Sequence, residues 1–183
     1  MNDMPMVSPV TSALMTVAMM VAMMLPSIAP SLWRYHRDGG RTTLFAFGYA
    51  SVWSAIALAL FAMSTAIPPF GPLATGAVVL CAGALQCSQW KARQLHRCRA
   101  ACVAAVVPSN AALWQDGCRF GVECALSCAA PMAVLFVAGL MNTPMMLVIT
   151  AAITAERVAP IGERIARLTG ALALIVGLIM CVR

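Results

Sequence analysis

Charge is what this sequence has least of. Asp, Glu, Lys and Arg make up 10% of its 183 residues, where an ordinary soluble domain carries about a quarter. With 62% of residues hydrophobic, too little polar surface exists to coat a water-soluble globule of this size. The solvent expected is lipid, in which every backbone polar group needs an internal partner, so the spans are helices or a closed barrel. Barrel strands alternate apolar and polar residues over about ten positions. That alternation is missing, and long continuous apolar runs stand in its place. The expectation is an all-α, polytopic helical membrane protein.

Other absences narrow the chemistry. Only six residues are acidic, and the apolar runs hold no paired acids of the kind a small-solute permease uses. The two histidines, His36 and His96, sit in basic segments, a placement that suits the membrane interface better than a metal site. There is no C-x-x-C and no second close-set cysteine pair in a polar loop, which disfavours zinc ribbons and fingers. No nucleophile–base set, phosphate loop or dinucleotide fingerprint occurs, so no enzyme is expected. No internal repeat or low-complexity linker divides the chain, and residues 1–183 read as one domain.

What the sequence does have is methionine. Residues 15–30, MTVAMMVAMMLPSIAP, hold five methionines and no charge. On a helix Met15, Met19 and Met23 fall one above another, and Met20 and Met24 repeat the spacing about 100° further round. Such a band is either a flexible packing surface or a set of soft ligands for an ion such as Cu(I).

Six runs are expected to span, at about residues 7–33, 43–67, 73–90, 118–141, 145–155 and 165–182, the fifth being short for a crossing. The first lacks the basic leader of a cleavable signal sequence and is too long for one. Pro26 is expected to interrupt it and Pro30 to close it. Residues 100–107 are too few to span and are expected at the interface or packed under the bundle; residues 108–117 read as a loop.

Eleven of the twelve Lys and Arg fall in the connections after the first, third and fifth runs, leaving Arg183 opposite. Basic loops stay in the cytoplasm, so both termini should face outward from a bacterial inner membrane. The net charge of +6 then reports topology and contact with anionic lipid heads, and calls for no nucleic-acid partner.

With that orientation the sulfur separates by depth. Met4, Met6, Met63, Met141, Met145 and Met146 lie toward the outer face, and Met132 at mid-depth. Cys87, Cys98, Cys102, Cys118, Cys124 and Cys128 lie toward the cytoplasm, where thiols stay reduced; Cys81 and Cys181 break the partition. Cys124 and Cys128 share a helical face, as Cys98 and Cys102 would if their segment were helical. Either pair can grip a soft ion or simply pack, since Ala125, Ser127, Ala129 and Ala130 also suit a tight helix contact. Glu123 is a candidate functional acid, or a partner for Arg119 one turn away.

At these residues the chain resembles the predicted metal-binding integral membrane proteins, a bacterial family carrying a domain of unknown function. The likeness rests on AMMVAMMLPSIAP at residues 18–30, and on Phe47-Gly48-Tyr49 through Trp53. It continues through the basic segment ending in Cys98-Arg99, Gly121 through Cys128, Gly139-Leu140-Met141-Asn142, Glu156-Arg157 and the helix of Gly170. The chain departs from the pattern where Gln94 replaces a cysteine and where Leu126-Ser127-Cys128-Ala129 replaces a Gly-Cys-Cys-Trp run. The resemblance implies metal binding. Together with the sulfur pattern it points to copper, bound or passed to a metal-delivery or membrane-complex partner. Met19, Met20, Met23, Met24, Cys98, Cys124, Cys128 and Met141 are the candidate ligands. A structural or assembly subunit, with methionines used only for packing, is the rival reading, and a small-solute permease a third.

Overall fold

A computed structural model describes residues 8–37, 42–68, 70–101, 109–139 and 142–182. The described residues form seven helices and no strand: α1 (Pro9–Arg37), α2 (Thr42–Ala66), α3 (Pro72–Cys87), α4 (Gln89–Ala101), α5 (Asn110–Ala138), α6 (Thr143–Val158) and α7 (Gly162–Val182). Four carry stretches long and apolar enough to cross a bilayer: residues 9–29 of α1, then α2, α5 and α7. The pair α3 and α4, bent by 63° at their junction, would make a fifth. At 16 residues α6 falls short of the roughly 20 that a crossing takes.

Local chemistry sets the helix ends. Ser109 starts α5, its side chain accepting from the Ala112 amide, and Asn142 starts α6 by accepting from the Met145 amide. Both are N-caps that satisfy an otherwise orphaned backbone donor. Ser88 makes the bend: its backbone is extended where α3 ends, and its hydroxyl accepts from the Lys91 amide at 3.3 Å to open α4.

Three expectations need correction. Pro30 does not close the first helix, whose backbone stays helical to Arg37; a proline costs one helical hydrogen bond, and neighbouring contacts in a bundle can absorb that loss. Residues 110–117 are the first two turns of α5 and not a loop. Gly117, at the end of the expected loop, lets the backbone of α2 approach: a Cβ there would lie 3.2 Å from the Gly48 Cα. Glu123 makes no ion pair with Arg119, and its Oε2 is buried without a hydrogen-bond partner among the described residues. The Gly39-Gly40 turn and residues 102–107, with Cys102, lie outside the described residues.

Two close helix pairs organise the bundle. Helices α2 and α5 run parallel, with Gly48 against Trp114 and Cys118 and Gly121 against Val52. Helices α3 and α7 run antiparallel, with Gly76 against Gly177 and Gly83 against Gly170. Small residues let backbones meet where packing must supply the attraction. The core lies between α1, α2, α5 and α6, around Met24, Ile28, Tyr49, Trp53, Cys124 and Leu135. Outward faces stay apolar, as along α7 at Leu168, Leu172, Ile175 and Ile179.

A candidate metal centre at the buried thiols

Cys124 and Cys128 lie one turn apart on α5, facing the core, 0% and 2% exposed. Four residues apart, the two side chains project from the same face of the helix. From α2 the Tyr49 hydroxyl stands 3.1 Å from Cys124 Sγ. Cys98 of α4 is buried in the same core. Around them Met20, Met23, Met24 and Met132 are buried in that contiguous core, with Met19 packed half-buried against it. Met15 instead points outward, 62% exposed. Met141 lies outside the described residues. The structure thus places seven of the eight candidate ligands in or against one core.

The cation over this site comes from α6. Arg157 Nη2 donates to the Cys124 carbonyl at 3.0 Å, to Ser127 Oγ at 2.8 Å and to Cys128 Sγ at 3.3 Å. Its Nη1 reaches Ser27 Oγ of α1 at 3.4 Å. One guanidinium therefore joins three helices at the thiol pair, using the fork of donors that distinguishes arginine from lysine.

Next to it lies a second polar knot. Lys91 and Glu156, 3% and 2% exposed, form an ion pair at 2.8 Å. Glu156 Oε1 also accepts from Gln86 and, at 3.0 Å, from the Thr169 hydroxyl. Arg99 donates to the carbonyls of Glu156 and Ala159 at 2.7 and 2.6 Å. Lys91 Nζ donates further to the Ser127 carbonyl, and Pro131 explains why that oxygen is free. A proline has no N–H, so the carbonyl four residues earlier loses its helical donor, and the ammonium supplies one.

Sequence reading missed this knot. Lys91 was counted among the loop cations, and Arg157 too, although both are spent on internal contacts. The available signals were an acid at the end of a short apolar helix and a proline inside α5. His96 pairs at the surface with Glu163, at 2.6 Å, and takes no part in the thiol site. Among the described residues no three His, Cys, Asp or Glu side chains group to hold a metal. A tetrahedral zinc site of that donor set is therefore absent there. Two thiols surrounded by thioethers suit a softer ion of low coordination number. Bound as a dithiolate, such a monovalent ion leaves one net negative charge, and Arg157 stands where that charge would form.

The family model described as PpoB2, copper chaperone, matches residues 13–180. No curated protein and no solved structure matches the chain. The match covers nearly the whole sequence, and the chain belongs to that copper chaperone family. The association with copper expected from the sequence is borne out.

Proposed function

We propose that this member of the copper chaperone family is a membrane-embedded carrier that holds Cu(I) on Cys124 and Cys128 and passes it to a partner. One observation carries the reading: two buried thiols one helical turn apart, under a guanidinium that donates to Cys128, in a core that also holds Met20, Met23, Met24 and Met132. Thiolate and thioether ligands select Cu(I) over harder ions. Arg157 offsets the charge of the dithiolate, and the tightly packed apolar surroundings exclude water and oxidant. Met24, buried in the same core, is a candidate for a further ligand. The chain's residues hold and release a cargo and carry out no bond-making chemistry on a substrate, so we assign no enzymatic role.

Apolar outward faces, four helices of spanning length and a bent fifth pair support a position in the bacterial inner membrane. The parallel α2–α5 and antiparallel α3–α7 pairs suit a chain that crosses alternately, with α4 and the α6–α7 turn at one end. That end carries the exposed cations Arg93, Arg97, Arg164 and Arg167, which favours the cytoplasm.

The test is metal analysis of detergent-purified protein from copper-supplemented cells. The double change Cys124→Ser and Cys128→Ser keeps side-chain size but removes the soft ligands. It should abolish most of the bound copper while leaving expression and helicity at wild-type levels. A folded double variant with unchanged copper would shift the reading to a packing role for the thiols.

A further inference from the structure

We infer that the cavity between the far halves of α2 and α5 is the route by which Cu(I) reaches the thiol pair, a thioether-lined vestibule opening at the end of the bundle opposite α4. The inference rests on the copper-handling reading above and adds a second metal-contacting region, with a direction of loading.

The cavity arises from how the two helices meet. At the thiol end Gly48, Gly117 and Gly121 bring their backbones together. Beyond Trp53 no such glycines continue on either helix. There the helices flank an open cavity of about 360 Å³, with Val78 of α3 as a third wall. Phe70 and Phe136, edge to face at 6.1 Å, stand near its far end. Trp53 and Met63 both line it, ten residues apart on α2, so it extends roughly 15 Å along the helix.

Two thioethers face the cavity at one level, one from each helix. Met63 is 46% exposed, and Met132 is 8% exposed in the core. Met132 stands one turn above Cys128, which stands one turn above Cys124, all buried on the same face of α5. Sulfur therefore continues from the cavity into the thiol site without a change of helix. Trp53, 0% exposed, adds a buried Nε1–H with no hydrogen-bond partner among the described residues. Such a donor is costly to leave unspent, and an acceptor atom riding with the ion would take it.

Passage along this ladder is ligand exchange. A Cu–S bond to Met63 gives way to one with Met132, and that to bonds with Cys128 and Cys124. Copper stays Cu(I), so no electron moves. Protons carried by the two thiols are released to solvent as the Cu–S bonds form. The first exchange, between two thioethers, is nearly balanced; thiolates hold the ion more strongly than neutral thioethers, so the step onto the thiol pair draws it inward. A lipid acyl chain could also fill an apolar cavity, but it would be indifferent to whether the lining atom is sulfur or carbon.

The experiment uses the full chain in right-side-out vesicles, with Cu(I) kept reduced by ascorbate and supplied outside. Initial loading rate and final copper per chain are both read. Met63→Leu conserves volume and apolarity, a swap that cores tolerate. Ala133→Phe fills the cavity, which Ala133 lines. Each should slow loading by about tenfold or more, with the final copper content unchanged. Loading by the Met63→Leu protein at the wild-type rate would overturn the route and leave the cavity to lipid. A wild-type chain that takes up no copper, or keeps its copper without Cys124 and Cys128, would instead overturn the thiol reading itself.

Discussion

Ser127 is held from two sides: its carbonyl takes Lys91 of α4 and its hydroxyl takes Arg157 of α6. The residue between the two thiols is thus tied to the charged knot beside them. Removing one member of a buried pair strands the other, which typically costs about 3–5 kcal/mol, whereas neutralising both partners costs far less. Glu156→Ala alone should therefore destabilise the detergent-solubilised protein by about that amount. Lys91→Met combined with Glu156→Gln should recover part of it, because Gln keeps an acceptor for Thr169 while the Ser127 carbonyl loses its donor. Denaturant titration reads both. A double variant no more stable than Glu156→Ala would show that the ion pair is not the source of the loss. Of these residues the thiols were legible in the sequence, through their spacing of four on one apolar helix. Lys91 and Arg157 were not, since a cation next to a helix end looks the same whether it faces water or turns inward.

At the scale of elements, the close helix pairs depend on the missing side chains of a few glycines. A Cβ on Gly83 would lie 2.9 Å from both the Gly170 carbonyl oxygen and the Leu174 amide nitrogen. Those are backbone atoms, which yield only if the helices move apart. Gly83→Ala should then cost about 1–3 kcal/mol, as overpacking does. Gly71→Ser sits in open space at the start of α3, where a hydroxyl is a favourable cap, and should cost nothing measurable. Equal stability of the two variants would refute the close α3–α7 contact. Helix positions were largely legible because apolar runs and proline punctuation are local signals. The start of α5 was misread because residues 108–117 mix a proline, polar side chains and a glycine, and that Gly117 serves a tight crossing shows only once its neighbour on α2 is known. The bend at Ser88 was missed because α4 is polar by composition and looks like a loop.

For the whole molecule, the partition of cations and the alternating helix directions make one prediction together. Reporter fusions after Arg41, near Arg99 and near Arg164 should report the cytoplasm, and fusions at Gly71 and Asn142 the outside. A cytoplasmic signal at Gly71 would invert the vestibule and refute loading from the outer face. The helical class was legible from composition alone. The arrangement of the core was not, because which helices pair depends on contacts between residues far apart in the chain.

The knot around Ser127 also imposes an order in time. Pro131 leaves a carbonyl that Lys91 fills, yet the carboxylate that balances Lys91 is made about 65 residues later. At synthesis rates of roughly 5–20 residues per second, Lys91 waits some 3–13 s for Glu156. Through that interval α4 lacks the Glu156 counter-charge that holds it inward, so its ammonium stays with solvent. The floor beneath the thiols is therefore among the last parts of the protein to close, and the nascent chain leaves it open until α6 arrives.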